Sequence, residues 1–180
     1  ERFRAALIDA VVPNFDWAMK PVTMVAGMVD DFQSYTRIYE QNQELKRELQ
    51  SQGHTFVTET DTEVVAHLVE REWKDDGLDG AVRRAMTRLR GLFALVLLSA
   101  DDPQKLVAVR NGPPVVVGLG DGEYFVASDI PAILQYTRNV VFLGDQEMAV
   151  VTQAGAVFSD FTGTVIAKTP TRVTWDPIAA

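Results

Sequence analysis

Cysteine is absent from all 180 residues. That excludes disulfides, thiolate metal sites and a thiol nucleophile supplied by these residues. Histidine is scarce, with only His54 and His67. Basic residues are outnumbered, 17 Lys and Arg against 25 Asp and Glu, for a formal charge of −8 with no basic cluster. Nucleic acid and an anionic membrane surface are therefore not expected as partners. No apolar run reaches the length of about 18 residues that a membrane span needs. The most apolar early stretch, 5–12, is cut short by Pro13 and Asp16. Position 1 is Glu1 rather than Met, with no secretory pattern behind it, so a fragment of a longer chain is expected.

What is present is ordinary for a globular protein. The hydrophobic fraction is 47% and the charged fraction 23%, and the length suits one domain or one domain with an appendage. Residues 1–50 read differently from the rest. Pro13 and Pro21 break the early segment, and from Val22 to Gln50 there is no proline and no glycine after Gly27. A helix of roughly 28 residues, about 40 Å long, is expected there. Met24, Met28, Tyr35, Ile38, Asn42, Leu45 and Leu49 fall at alternating a and d heptad positions, with Asp31 a poor fit. An Asn at an a position fixes register in a parallel pair, so a homodimer through residues 22–50 is one reading. An amphipathic helix packed on its own domain is the other.

The stretch around which the remaining residues are arranged is 55–68. Thr60 followed by Glu63 is the capping-box spacing, and Val64, Val65, Leu68 and Val69 give one apolar helix face. Asp61 sits in the first turn, where the helix dipole favours a negative charge. Capping alone accounts for a carboxylate there. A binding role is the alternative.

From Gly53 onward the pattern is α+β. Helices are expected over 61–74 and 78–89, the second with Arg83, Arg84, Arg88 and Arg90 outside its apolar face as solvated surface charge. The apolar run 92–98 reads as a strand buried on both faces. Strands follow at 106–110, 115–119 and 123–127, then a short helix from Ser128 and Asp129 with Pro131 in its first turn. Antiparallel strands and hairpins over 140–152 and 156–168 complete the pattern. Gly118-Leu-Gly-Asp-Gly122 runs into a strand rather than a helix, so a nucleotide loop is not expected there. His54 and His67 lie thirteen residues apart without compact ligand spacing. They read as satisfied or surface histidines rather than as metal ligands beside Asp61 and Glu63. No metal and no cofactor are expected.

Two resemblances attach to these words. Thr58-Glu-Thr-Asp-Thr-Glu-Val64 with Ala66-His-Leu68 resembles a motif of glutamine–fructose-6-phosphate aminotransferase, also called glucosamine-6-phosphate synthase. The likeness continues through Arg90-Gly91, Ala108-Val-Arg110, Val117-Gly-Leu-Gly120, Phe125-Val-Ala-Ser-Asp129, Tyr136-Thr-Arg138 and Trp175-Asp176, covering about residues 43–180. It implies the second half of that enzyme's glutaminase domain, a partial αββα sandwich of the N-terminal-nucleophile hydrolase type, in a cytoplasmic protein. Phe3-Arg-Ala-Ala-Leu-Ile-Asp-Ala-Val-Val-Pro13, Lys20-Pro-Val22 and Tyr39-Glu-Gln-Asn-Gln-Glu-Leu45 resemble the region after the membrane anchor of the rod shape-determining protein MreC, which leads into a dimerising coiled coil. The two meet in residues 42–50, and a chimera joined there is the expectation, with residues 1–50 as a helical segment and 51–180 as the amidotransferase portion.

The resemblance also sets the chemistry. Glutaminases of this class attack the glutamine amide with an N-terminal cysteine, and the ammonia released passes to a sugar-phosphate isomerase domain. Here no cysteine exists, so no catalytic residue is expected. Of the family's glutamine-binding groups only Asp61 lies in a matching motif, and by resemblance it pairs with the substrate's α-ammonium group. The expectation is an amidotransferase piece inactive alone, against the alternative of a non-enzymatic coiled-coil scaffold of the MreC kind. Without the domain's first half, the runs 92–98 and 140–151 are expected to leave bare edges unless the N-terminal helix covers them.

Overall fold

A computed structural model describes residues 40–175. The chain divides into two compact units, Glu1–Glu44 and Leu45–Ala180, and the helices and sheets named in this section belong to the second. The MreC-like segment and most of the expected long helix lie outside the described residues. The chain is helical over 40–51, and its part from residue 45 onward is called α1. The heptad positions Leu45 and Leu49 are buried in the unit's own core. Their apolar surface is thus covered within the chain rather than presented to a second copy.

Two further helices follow, α2 (Asp61–Arg71) and α3 (Gly77–Met86). Each buries one stripe: Val64, Val65, Leu68 and Val69 on α2, and Leu78, Ala81, Val82, Ala85 and Met86 on α3. That is the three-to-four spacing an amphipathic helix uses to meet a sheet. The helices end at 71 and 86, earlier than the expected 74 and 89, because Glu72 and Thr87 stand as their C-caps.

The strands are β1 (Phe93–Leu97), β2 (Leu106–Asn111), β3 (Val116–Leu119), β4 (Tyr124–Ala127), β5 (Asn139–Phe142), β6 (Glu147–Thr152), β7 (Gly155–Asp160) and β8 (Thr171–Arg172). They form two four-stranded antiparallel sheets in the orders β1-β2-β6-β7 and β4-β3-β5-β8. Directly paired residues share a face, so the register sorts the core. Val107 opposite Val150 and Val109 opposite Met148 turn to the helices. Ala108 opposite Ala149, and Leu106 opposite Val151, turn the other way, against Val115, Val117, Val141 and Leu143 of the second sheet and its flanks. The layers are therefore helices, first sheet and second sheet.

Behind the second sheet the expected short helix is a single 3₁₀ turn, Ile130–Ala132, capped by the Asp129 carboxylate, which accepts from the Ile130 amide. The segment after it packs Ile133 and Leu134 onto Val116 and Val140. Gly118 is required at the contact, since a Cβ there would come within 2.8 Å of the Thr137 methyl and 2.9 Å of Ile133 Cδ1. The result is an α+β sandwich whose second outer layer, among the described residues, is a 3₁₀ turn and a loop.

The expectation that the run 92–98 is buried on both faces is corrected. Phe93, Leu95 and Leu97 pack toward the helices, whereas Ala94 and Val96 alternate outward, Val96 being 51% exposed. Among the described residues, the second sheet covers β2, β6 and β7 but does not extend over β1, and β1 pairs only with β2. Among the described residues, no strand pairs with the other edge of β1. By contrast β5 and β6 are both paired on two sides, so the run 140–151 lies inside the sheets.

Candidate functional site

Asp61 opens α2 and is exposed to solvent. Its position is set by neighbours rather than by contacts of its own. The expected capping box does not form: Thr60 is the N-cap residue, yet no side chain caps the first turn there. The Glu63 carboxylate turns back along the chain instead. It accepts from the Val57 amide at 2.7 Å, from the Thr58 amide at 2.7 Å and from the Thr58 hydroxyl. Three donors converging on one carboxylate favour its ionised form. The Thr58 hydroxyl, then the Val57 amide, lower the Glu63 pKa to about 2. Thr58 Oγ1 also lies 2.9 Å from Thr60 Oγ1. Residues 57–63 are thereby tied into one turn, with Asp61 at its outer corner and, among the described residues, no ion pair on its carboxylate.

Other words of the motif turn out to hold the frame. The Arg110 guanidinium donates to the carbonyls of Gly112, Pro113 and Leu143, fastening two turns together. Thr137 Oγ1 donates to the Leu119 carbonyl at 2.6 Å and accepts from the Asn139 amide. Arg138 donates to the Trp175 carbonyl at 3.0 Å. Of the arginines expected as solvated charge, Arg84, Arg88 and Arg90 are partnered, whereas Arg83 Nε is buried without a hydrogen-bond partner. Arg84 grips Asp76 through both its terminal nitrogens, at 2.6 and 2.7 Å, and donates to the Glu72 carbonyl. The guanidinium lowers the Asp76 pKa to about 2. Arg88 and Arg71 both reach Glu48 of α1. The glycine-rich run 118–122 is the hairpin between β3 and β4, as expected.

The two histidines, set aside for their wide spacing, come together. Gly53, at φ +99°, reverses the chain after α1, with the His54 amide bonded to the Leu49 carbonyl. That turn lays His54 against His67 of α2, their Nδ1 atoms 3.1 Å apart. Beside them a cavity of about 510 Å³ opens between α2 and β1, lined by Val65, Val69, Trp73, Leu95 and Leu97, with His67 and Glu70 at its rim. Asp61 does not line it. Sequence separation hid the pair, and the glycine directly before His54 was the available signal.

The comparisons give this α+β sandwich a family. A family model described as a glutamine amidotransferase domain matches residues 33–135, and the chain belongs to that family. The particular relatives are glutamine–fructose-6-phosphate aminotransferases. That of Thermococcus kodakarensis is 47% identical over 165 residues, 91% of this chain and 26% of the relative. That of Pyrococcus horikoshii is 42% identical over the same share of each chain. Thus the chain spans about a quarter of the length of these relatives. Both matches take in part of the first fifty residues, extending the likeness before residue 43. Among solved structures, a glutamine phosphoribosylpyrophosphate amidotransferase from B. subtilis superposes with a TM-score of 0.59 at 24% identity, over 68% of this chain and 27% of that one. This likeness places the sandwich in the N-terminal-nucleophile amidotransferase fold.

Proposed function

We propose that the chain is part of the glutaminase region of an isomerising glutamine–fructose-6-phosphate aminotransferase, and that Asp61 holds the α-ammonium group of glutamine. The observation that carries this reading is an exposed carboxylate, without an ion pair among the described residues, at the corner of a turn whose other acids are engaged, Glu63 by three donors and Glu59 by Lys46 at 3.6 Å. Such a carboxylate beside a locked backbone is what an ammonium ligand needs, because little ordering remains to be done on binding. These 180 residues supply no thiol, so they contribute recognition rather than the attacking group. A single exposed charge pair gives weak affinity.

A cytoplasmic setting goes with this reading, as does the division into a helical segment, 1–50, and an amidotransferase portion, 51–180. Leu45 and Leu49 support moving the functional boundary back to about α1, since they complete the core. Dimerisation through 22–50 would rest on the residues before α1, and size measurement with and without residues 1–44 tests it.

The main test is incubation of the purified chain with glutamine, followed by assay for glutamate and by amide NMR. The expected result is no hydrolysis, with small saturable shifts at residues 58–63 that disappear in Asp61→Asn. Turnover to glutamate, or shifts that survive Asp61→Asn, would overturn the assignment.

A further inference from the structure

We propose that His54, His67 and Glu70 form a binding site for one divalent transition-metal ion of the zinc class. The three donor atoms are His54 Nδ1, His67 Nδ1 and Glu70 Oε2. They are separated by 3.1 Å between the imidazoles, 3.5 Å from His54 to the carboxylate and 3.4 Å from His67 to it. Bonds of about 2.0 to 2.2 Å at tetrahedral angles put neighbouring ligands roughly 3.3 to 3.6 Å apart. The observed triangle fits one face of that tetrahedron after shifts of a few tenths of an ångström. The fourth corner is left for water.

Each ligand is delivered by the fold. His67 and Glu70 stand three residues apart on one face of α2, and the left-handed turn at Gly53 brings His54 over them. The imidazoles are held rather than free. Their side chains are 16% and 20% exposed, and the Phe56 ring packs edge-on against His67 at 4.5 Å between centroids. Glu63 Oε1 lies 3.8 Å from His67 Nε2, so a negative charge stands behind the nitrogen opposite the metal-facing one. Two imidazoles with a carboxylate select borderline ions such as Zn²⁺, Co²⁺ and Ni²⁺ over Mg²⁺ and Ca²⁺, which prefer all-oxygen shells. Glu70 is 71% exposed, which makes it the weakest of the three ligands. His54 and His67 are also the only histidines in the chain, and there is no cysteine. Any nitrogen-rich site within these residues must therefore be this one.

The competing arrangement with the same geometry is a plain N–H···N hydrogen bond between neutral imidazoles, and metal titration separates the two. The tag-free full chain, stripped of metal, is titrated with ZnCl₂ by calorimetry and with CoCl₂ by visible absorption. The expected result is one Zn²⁺ per chain, a Co²⁺ spectrum of tetrahedral intensity and no competition from Mg²⁺. His54→Asn and His67→Asn should each weaken Zn²⁺ binding by at least about tenfold, the scale seen even for outer-shell partners, with Glu70→Gln weakening it less. His54 lies in a loop after α1, so should His67→Asn fail to fold by circular dichroism, His54→Asn decides the matter. No saturable Zn²⁺ binding, or a loss under tenfold in His54→Asn, would overturn the proposal.

Discussion

At Asp76 a surface carboxylate is held by both terminal nitrogens of Arg84, and its folded pKa, about 2, lies below the ordinary value of 3.8. The sign follows from linkage: a depressed carboxylate stabilises the fold above its unfolded pKa, and that contribution disappears as pH falls from about 4 toward 2. Asp76→Asn should therefore flatten the acid limb of the stability curve between those values and leave its shape above pH 5 unchanged. Chemical denaturation at a series of pH values checks this. The residue scale is also where the sequence was least legible. Thr60 and Glu63 have the spacing of a capping box, but a Glu side chain also reaches back to Thr58, and the spacing does not say which donor it takes. The Thr58 hydroxyl and two loop amides together outnumber the single cap amide. Likewise thirteen intervening residues concealed the His54–His67 contact, which depends on a glycine turn and the pitch of α2 together. Asp61 stood out only because the words around it matched a known motif.

Helix α1 shows the same issue at the scale of an element. Its apolar spacing suits a heptad seam and a helix laid on its own domain equally well, because both require residues three and four apart. Burial decides: Leu49 is fully enclosed beside Leu68 and the α3 core. Leu49→Ala should cost about 2 to 5 kcal/mol, the range for emptying a buried leucine site. Equilibrium urea denaturation checks it, and a cost below about 1 kcal/mol, outside that range, would mean the helix end is not core. The strands were read more fully: alternation and turn residues place β2, β3 and β4 within one residue, whereas 140–152 and 156–168, read only as strands and hairpins, hold β5, β6 and β7. The failure at β1 is instructive. A run of seven apolar residues from Leu92 to Leu98 reads as enclosed on both sides, but enclosure depends on a neighbouring layer, and that layer stops at β2. Local sequence records which residues tolerate burial. It does not record how far the opposite sheet extends.

Across the whole molecule, the one-sided covering of the first sheet leaves Leu92, Val96 and Leu98 exposed along a strand edge. Such an edge invites pairing with another chain. Val96→Glu, on the outward face of β1, should slow aggregation near neutral pH with little change in melting temperature, as followed by light scattering during a thermal ramp. An unchanged aggregation rate would locate the sticky surface elsewhere. The sandwich and its family were legible from the residues alone, because strand alternation and ordered motif words extend over most of the chain. Helix α2 has one more consequence. Asp61 begins it and His67 follows six residues on, roughly 9 Å of rise along the same rod. A cation gathered at the imidazoles and an amino acid held at the rod's mouth would share a single stiff support. Thermodynamic reciprocity then applies: whatever factor the ion imposes on the affinity for the amino acid, the amino acid must return to the ion unchanged.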